Sequence, residues 1–234
     1  MVSKRKIQDA GVNARAVRAD ALATRARIVG TAEKRFAEHG IDGVSLVEVG
    51  RAAGQRNRSA VQYHFGDKQG LVHAILDKHT PGIEQRRRAL LDEIEASEQL
   101  DLRRLVEALV LPVAEKLGDP DGGVAFVRIS AELIGHARFP LLSLDAQRVN
   151  RASDRLRRLT ARAAPRLPKP LWMPRWLLVT GLLFHGMADW SRLPKARRPS
   201  RGVFVNHLID GIVALLSAPV SPASEAMLVE ETHG

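Results

Sequence analysis

Residues 24–76 read TRARIVGTAEKRFAEHGIDGVSLVEVGRAAGQRNRSAVQYHFGDKQGLVHAIL, and the spacing of apolar residues and glycines within them decides the fold. Ile28, Ala32 and Phe36 recur every fourth residue with Val29 half a turn aside, which is one stripe of an amphipathic helix. Gly40 closes that helix in the way glycine commonly does. Ser45-Leu46-Val47-Glu48 is a capping box: the serine hydroxyl accepts from the backbone N–H three residues on, and the glutamate reaches back to the serine N–H. A short second helix therefore runs from 45 to about 53. Gly54 breaks it, and Gln55-Arg56-Asn57 forms a polar turn. A third helix over 58–65 follows, in which Val61 and Phe65 lie one turn apart and face inward. Asp67 caps a fourth helix carrying Leu71, Ile75 and Leu76. Two helices of about eight residues joined by a glycine-bearing turn make a helix-turn-helix.

Outward from this segment the pattern stays helical. Residues 1–20 are charged throughout and lack the apolar stretch of a signal peptide, so they are expected to form a disordered basic arm. The helix-turn-helix domain is expected over 21–66, and a linking helix over 67–98 with a kink near Pro81. A helical body then covers 99–218, with periodic segments at 102–117, 124–136, 144–163, 174–193 and 201–216. Residues 219–234 read as a flexible tail. No stretch alternates as a strand would, so the predicted fold class is all-α.

Composition narrows the function classes. With 45% hydrophobic and 26% charged residues over 234 positions, the chain has the balance of a globular protein rather than a disordered one. It contains no cysteine, which excludes a disulfide framework, a thiolate nucleophile and a cysteine-type zinc site. The most apolar stretch, 176–187, spans about a dozen residues against the ~20 a spanning helix needs. A cytoplasmic protein without a membrane partner is expected. The formal charge of +10 is unevenly placed: residues 1–88 hold 17 Lys+Arg and 9 Asp+Glu, the remainder 19 and 17. The first third thus carries most of the positive potential, which suits an acidic partner such as nucleic acid.

A helix-turn-helix reads DNA by laying its second helix in the ~12 Å major groove. Arg56, Asn57 and Arg58 stand at the start of that helix, where arginine pairs with guanine and asparagine with adenine. Ser59, Ala60 and Gln62 add small and amide contacts on its outer face. Tyr63, His64 and Lys68 lie at the far end, within reach of phosphate oxygens. The Ser45 hydroxyl and the helix start behind it offer a further phosphate site. The plainer alternatives are a half-buried packing role for Tyr63 and a helix-capping role for His64.

Residues 24–76 closely resemble the DNA-binding domain of the TetR family of bacterial transcriptional regulators. The resemblance rests on Arg25, Ile28, Ala32, Phe36 and Gly40 in the first helix, and on Ser45, Val49, Ala53 and Gly54 in the second. It continues through Tyr63-His64-Phe65 at the end of the third and Lys68 and Leu71 at the start of the fourth. The turn 54–59 is one residue longer than the commonest family pattern. The resemblance implies a three-helix DNA-binding head, a linking fourth helix, and a larger helical body that binds a small molecule and dimerises through its last two helices. It further implies repression at palindromic operators, relieved by an effector, with phosphate contacts at Ser45, Tyr63, His64 and Lys68.

In the body, 174–193 is apolar nearly all round, and 201–216 carries two adjacent stripes, which one monomer core does not absorb. Leu177, Phe184, Phe204, Leu208, Ile212 and Leu215 are the expected dimer residues, a buried monomer pair being the alternative. An effector pocket between body helices is expected to draw on Arg128, His136, His185 and Asp189, with Trp172, Trp176 and Trp190 as walls. Surface or interface roles are the bland readings of the polar four, and an ordinary core is that of the tryptophans. A lipophilic or acidic small molecule suits such walls. No metal and no cofactor are expected. An enzyme is disfavoured: there is no Gly-x-Ser-x-Gly elbow, no His-Glu-x-x-His pair and no phosphate-cradling glycine loop. An effector-independent DNA-binding protein or activator keeps the same head without a pocket.

Overall fold

A computed structural model describes residues 2–57, 59–97, 99–138, 151–164 and 167–233, with side chains from residue 18 onward except at 151 and 231–233. Among them all regular structure is helical: α1 Val2–His39, α2 Leu46–Ala52, α3 Ala60–Phe65, α4 Lys68–Ala96, α5 Leu102–Ala114, α6 Gly123–Ile134, α7 Arg151–Ala163, α8 Lys169–Arg192, α9 Arg201–Ser217 and α10 Pro222–His233, with short 3-10 turns at Glu115–Gly118 and Lys195–Arg197. The all-α class is as expected. The chain divides into a head, residues 1–78, and a body, residues 79–234.

Two boundaries differ from the expectation. The arm at 1–20 is helical and continuous with the rest of α1. It contains no proline and many Ala, Lys and Arg, good helix formers, and it extends an existing helix without a new nucleus. The linking helix, α4, runs from Lys68 to Ala96, inside the expected 67–98, and continues through Pro81, whose nitrogen has no backbone hydrogen to donate. The tail at 219–234 is also helical over α10, where Pro222 follows Ser221, whose Oγ accepts from the Ser224 N–H at 3.3 Å. The expected helix over 144–163 is described only from Arg151 on; 144–150 lie outside the described residues.

The head core is built from the predicted stripe. Ile28, Val29, Ala32 and Phe36 of α1 are buried with Ile41 and Val44, Val49 and Ala53 around α2, Val61 and Phe65 of α3, and Leu71, Val72 and Ile75 of α4. The capping box forms as read. Ser45 Oγ accepts from Glu48 N at 3.2 Å, and both the Ser45 N–H and its hydroxyl donate to Glu48 Oε2 at 2.7 Å. The backbone N–H of Ser45, then its hydroxyl, hold the Glu48 carboxyl below the ordinary glutamate range. Gly54 stops α2 with φ +70°, the left-handed geometry that a side chain resists.

In the body, α6 packs on α8, α9 on both α5 and α8, and α7 on α5. The apolar centre includes Leu105, Val110 and Val113 of α5, Phe126 and Ile129 of α6, Leu156 of α7, Val179 and Leu183 of α8, and Ile209 and Ile212 of α9. Within this core sits an ion pair that the sequence pattern did not reveal. Arg87 is 6% exposed and Glu84 8%. Their side chains are hydrogen bonded to each other, and Ser153 Oγ lies 2.7 Å from each as acceptor and donor respectively. Ser153 N donates to Glu84 Oε2 at 3.2 Å and Arg87 Nε to the Ala108 carbonyl at 3.3 Å. The cluster fastens α7 and α5 to the body half of α4. Farther out, Arg155 joins α7 to Asp92 and Glu95 of α4, and Arg103 joins α5 to Asp210 of α9.

Removing one partner of a buried pair strands the other charge, so Arg87→Met will destabilise the body by about 3–5 kcal/mol, while Glu84→Leu combined with Arg87→Met recovers most of that. Urea unfolding checks this, and a single-variant loss under about 1 kcal/mol contradicts it. For the capping box, a carboxyl titrating below its unfolded value contributes stability that is present above the ordinary glutamate range and lost as pH falls through the lowered folded value. The melting-temperature advantage of the native chain over Glu48→Gln should thus be constant near neutrality and shrink on acidification. A pH-independent difference contradicts the assignment.

Candidate nucleic-acid interface

The surface that α3 presents is set by what holds its other side. Val61 and Phe65 are buried, one turn apart, and fix the helix against α1 and α2. Position 50 of α2 has a glycine where a Cβ would stand 3.2 Å from Val61 Cγ2, so the two short helices meet at close range. The Arg25 guanidinium covers the Phe65 ring at 4.8 Å, a cation–π contact, and Arg27 Nε donates to the Ala53 carbonyl at 3.1 Å. With the inner side committed, Gln62 and Tyr63 face solvent. Tyr63 is 85% exposed, its ring edge-on to His64 at 5.2 Å. An outward tyrosine at the end of a well-packed helix serves an external partner better than a core, and the half-buried packing alternative is set aside.

The turn before α3 redistributes the predicted contacts. Asn57 Oδ1 accepts from the Ser59 N–H at 2.9 Å and the Asn57 carbonyl from Ala60 N at 3.1 Å. Asn57 therefore shapes the start of α3, which opens at Ala60 rather than at 58. Arg56, Asn57 and Ser59 are exposed and Ala60 half-buried. Arg58 lies outside the described residues.

Two of the expected phosphate residues have partners within the head. The Ser45 hydroxyl is committed to Glu48 within the capping box, and a carboxylate stands where an anion was expected, so Ser45 is a cap. Lys68 Nζ donates to the Ile41 carbonyl at 2.9 Å, which ties the start of α4 to the α1–α2 loop. His64 is half-buried beside Phe65. The outward group that the structure brings together is thus Arg56, Asn57, Ser59, Gln62 and Tyr63.

In the body, Arg128 is half-buried, and its Nε and Nη2 donate to Ser191 Oγ at 2.9 Å and the Ser191 carbonyl at 3.2 Å. Burial, then the nearby Arg192, lower its pKa from the ordinary arginine value. Its donors are thus used on the C-terminal turn of α8. His136 follows α6, its Nδ1 accepting from Arg138 N at 3.2 Å. Trp172 and Trp176 stack at 6.1 Å with Trp176 buried. Trp190 stacks on Phe204 at 5.2 Å. His185 and Asp189 correct the expectation, because both are exposed on the outer side of α8 and Asp189 pairs with Arg192 at 3.2 Å. They do not line an interior pocket.

The expected dimer residues divide as well. Leu177 is exposed, and Phe184, Phe204 and Leu215 are half-buried, but Leu208 and Ile212 are buried in the body's own core. Leu208 packs toward α8, where a Cβ at position 186 would stand 3.5 Å from its Cδ1. The outward apolar residues that the pattern missed are Leu178, Leu182 and Val203, of which Leu178 is 61% and Val203 62% exposed. Leu178, Leu182, His185 and Asp189 fall at helical spacing, which is the signal that marks this side of α8.

Comparison with known proteins places the head in a family. A family model described as bacterial regulatory proteins, tetR family, matches residues 28–75, which run from the C-terminal part of α1 through α2 and α3 to the first turns of α4. Among curated proteins the chain is 30% identical over 103 residues to ArpR, a probable helix-turn-helix transcriptional regulator of Pseudomonas putida. It is 29% identical over 103 residues to the helix-turn-helix regulator TtgR, also of Pseudomonas putida. Each alignment covers 44% of this chain and 47% of the relative, so the chain spans about half the length of the curated relatives it matches. Among solved structures, NalD, the secondary repressor of the MexAB-OprM multidrug efflux pump in Pseudomonas aeruginosa, superposes with a TM-score of 0.54 at 23% identity, over 86% of this chain and 100% of that one. A TetR-family regulator from Rhodococcus sp. gives 0.51 at 24% identity, over 83% and 98%. These two likenesses show the fold, and the family model shows what residues 28–75 are similar to: bacterial regulatory proteins, tetR family.

Proposed function

We propose that the chain is a dimeric, cytoplasmic transcriptional repressor that binds a palindromic operator and is released by a small-molecule effector; it is a regulator rather than an enzyme. The observation that carries the reading is the outward pair Gln62 and Tyr63 on an α3 whose other side is locked by Val61 and Phe65, within the segment that the family model matches. The relatives support it: ArpR and TtgR are transcriptional regulators by name, and NalD is a repressor. No single helix among the described residues is long and apolar enough to cross a membrane. The one pair that passes together by composition, Arg201–Ser217 with Pro222–Glu230, is bent by 52°.

In this mechanism α3 enters the major groove, Gln62 reads a base edge, and Tyr63 and Arg56 hold phosphates. Two heads related by a dyad need a dimer. The exposed side of α8 and α9 supplies a self-complementary face of Leu177, Leu178, Leu182 and Val203. The effector, a lipophilic or acidic molecule, binds among the body helices. It acts through α4, the element that begins in the head and carries the buried Glu84–Arg87 pair in the body. Coupling of this kind is reciprocal, so operator DNA weakens effector binding by the factor by which effector weakens DNA binding.

The test begins with duplexes selected by the protein from a random pool. A palindrome should emerge, bound at least about 10³-fold more tightly than unselected DNA. Gln62→Ala should relax preference at one position in each half-site by about 1–3 kcal/mol, whereas Tyr63→Ala should weaken all sequences alike. Absence of any selected sequence contradicts the reading. Leu178→Arg with Val203→Glu should give a monomer by sedimentation and lower operator affinity with it. A dimer that survives both changes places the interface elsewhere.

A further inference from the structure

Over residues 190–234 the charges are sorted along the chain. Residues 190–209 carry Arg192, Lys195, Arg197, Arg198 and Arg201 and no acid, whereas residues 202–234 carry Asp210, Glu225, Glu230 and Glu231 and no Lys or Arg. The basic run is a firmly built corner between α8 and α9. Trp190 stacks on Phe204 at 5.2 Å, its Nε1 donates to the Pro199 carbonyl at 3.2 Å, and the Arg198 guanidinium covers its ring at 5.0 Å. Lys195 and Arg197 in the 3-10 turn and Arg201 at the start of α9 are exposed, and none of the three is ion paired among the described residues. Leu193 and Val203 are exposed on the same corner. The helix α10 is opposite in charge. Ser224 and Leu228 are its half-buried residues, while Glu225, Met227, Val229 and Glu230 are exposed, and none of its described side chains is buried. A helix of 12 residues is marginal in water without a surface to pack on.

We infer that α10 of one protomer docks on the α8–α9 corner of its partner, so that a pair of chains exchanges its C-terminal helices. The inference rests on the dimer reading above and extends it. The two surfaces do not meet within one chain. They lie at opposite ends of α9, whose 17 residues span about 25 Å, and the bend of 52° between α9 and α10 carries α10 onward rather than back. A two-fold axis that sets the two α9 helices antiparallel brings the C-terminal end of each beside the N-terminal end of the other. Both contacts then form at once in a closed, isologous pair. The match is in kind as well as in sign. Glu225 and Glu230 bring carboxylates to Lys195, Arg197 and Arg201, and Met227 and Val229 bring apolar surface to Leu193 and Val203. Val203 already belongs to the outward face of α8 and α9 assigned to the dimer, so the corner continues that face. A nucleic-acid backbone, the competing anionic partner, offers phosphates to the cations but nothing apolar to Leu193 and Val203.

The chain has no cysteine, so single introduced cysteines are clean probes. Full-length Arg197→Cys and Val229→Cys chains, each alone and then mixed, are treated with a short bismaleimide. Joined pairs should form in the mixture and in neither variant alone. Sedimentation then reads the charges. Lys195→Glu with Arg197→Glu should raise the dimer dissociation constant at least about tenfold, as should Glu225→Lys with Glu230→Lys. All four changes in one chain should return it to within about threefold of the native value, because the pairing is restored with signs exchanged. Joining of like Arg197→Cys chains, no joining in the mixture, or no recovery in the fourfold variant overturns the inference. Unchanged dissociation constants for both charge variants overturn it too, and leave the dimer reading standing. A corner variant that lowers operator affinity with its dimer intact overturns it in favour of DNA. Assemblies that grow with concentration mean an exchange that does not close, which overturns the reciprocal pair. If the native chain sediments as a monomer, the dimer reading falls and takes this one with it.

Discussion

A side chain at position 70 would place its Cβ 2.0 Å from the Phe65 carbonyl oxygen, a distance that no packing rearrangement absorbs without moving backbone. Only glycine lets the first turn of α4 sit directly on the end of α3, and the head depends on that corner. Gly70 N donates to Asp67 Oδ1 at 2.8 Å, which starts α4, and Lys68 then reaches the Ile41 carbonyl. Phe65 is held beneath Arg25 and beside the α1 core. With α3 clamped at its C-terminal end and set close to α2 at Val61, its outer residues have fixed positions before any partner arrives. Preorganisation of this kind spares an interface the ordering entropy it would otherwise lose on binding.

The head and the body each bury an ion pair. In the head, Glu33 of α1 is 2% exposed and accepts from Lys78 Nζ of α4 at 2.7 Å. The body buries charge: Glu84 and Arg87 are satisfied by one another and by Ser153, at the point where α4, α5 and α7 meet. A buried ion pair is weak evidence for stability but strongly constrains geometry, because displacement of α4 within the body costs hydrogen bonds on both groups. A ligand that loosens or tightens this network has a lever on the helix that begins in the head.

Much of this was legible in the residues, and the failures have physical reasons. The helix-turn-helix, its capping box and the inward pair Val61 and Phe65 follow from spacing and local hydrogen-bond chemistry, which act over a few residues. The start of α3 shifted because an asparagine side chain competes with helix geometry for the Ser59 N–H, and a one-letter reading does not say which wins. On α9, two adjacent apolar stripes read as equivalent. Which is buried depends on where α5 and α8 lie, and α8 closes over Leu208 opposite a glycine. For His185 and Asp189, the four-residue spacing showed that they share a face, yet only the fold shows that the face points out. Glu84 and Arg87 looked like an ordinary solvated run, because nothing in a charge pattern announces burial by a distant helix.

The central claim is that DNA is read by a preformed head whose outer α3 face makes the contact. Hydrogen–deuterium exchange of the full chain, free and bound to its selected duplex, tests this most directly. The account predicts slowed exchange over the turn and helix at 56–65, with the α5, α6 and α9 amides slow in both states. Complex formation that protects body helices alone, with exchange over 56–65 unchanged, would contradict it.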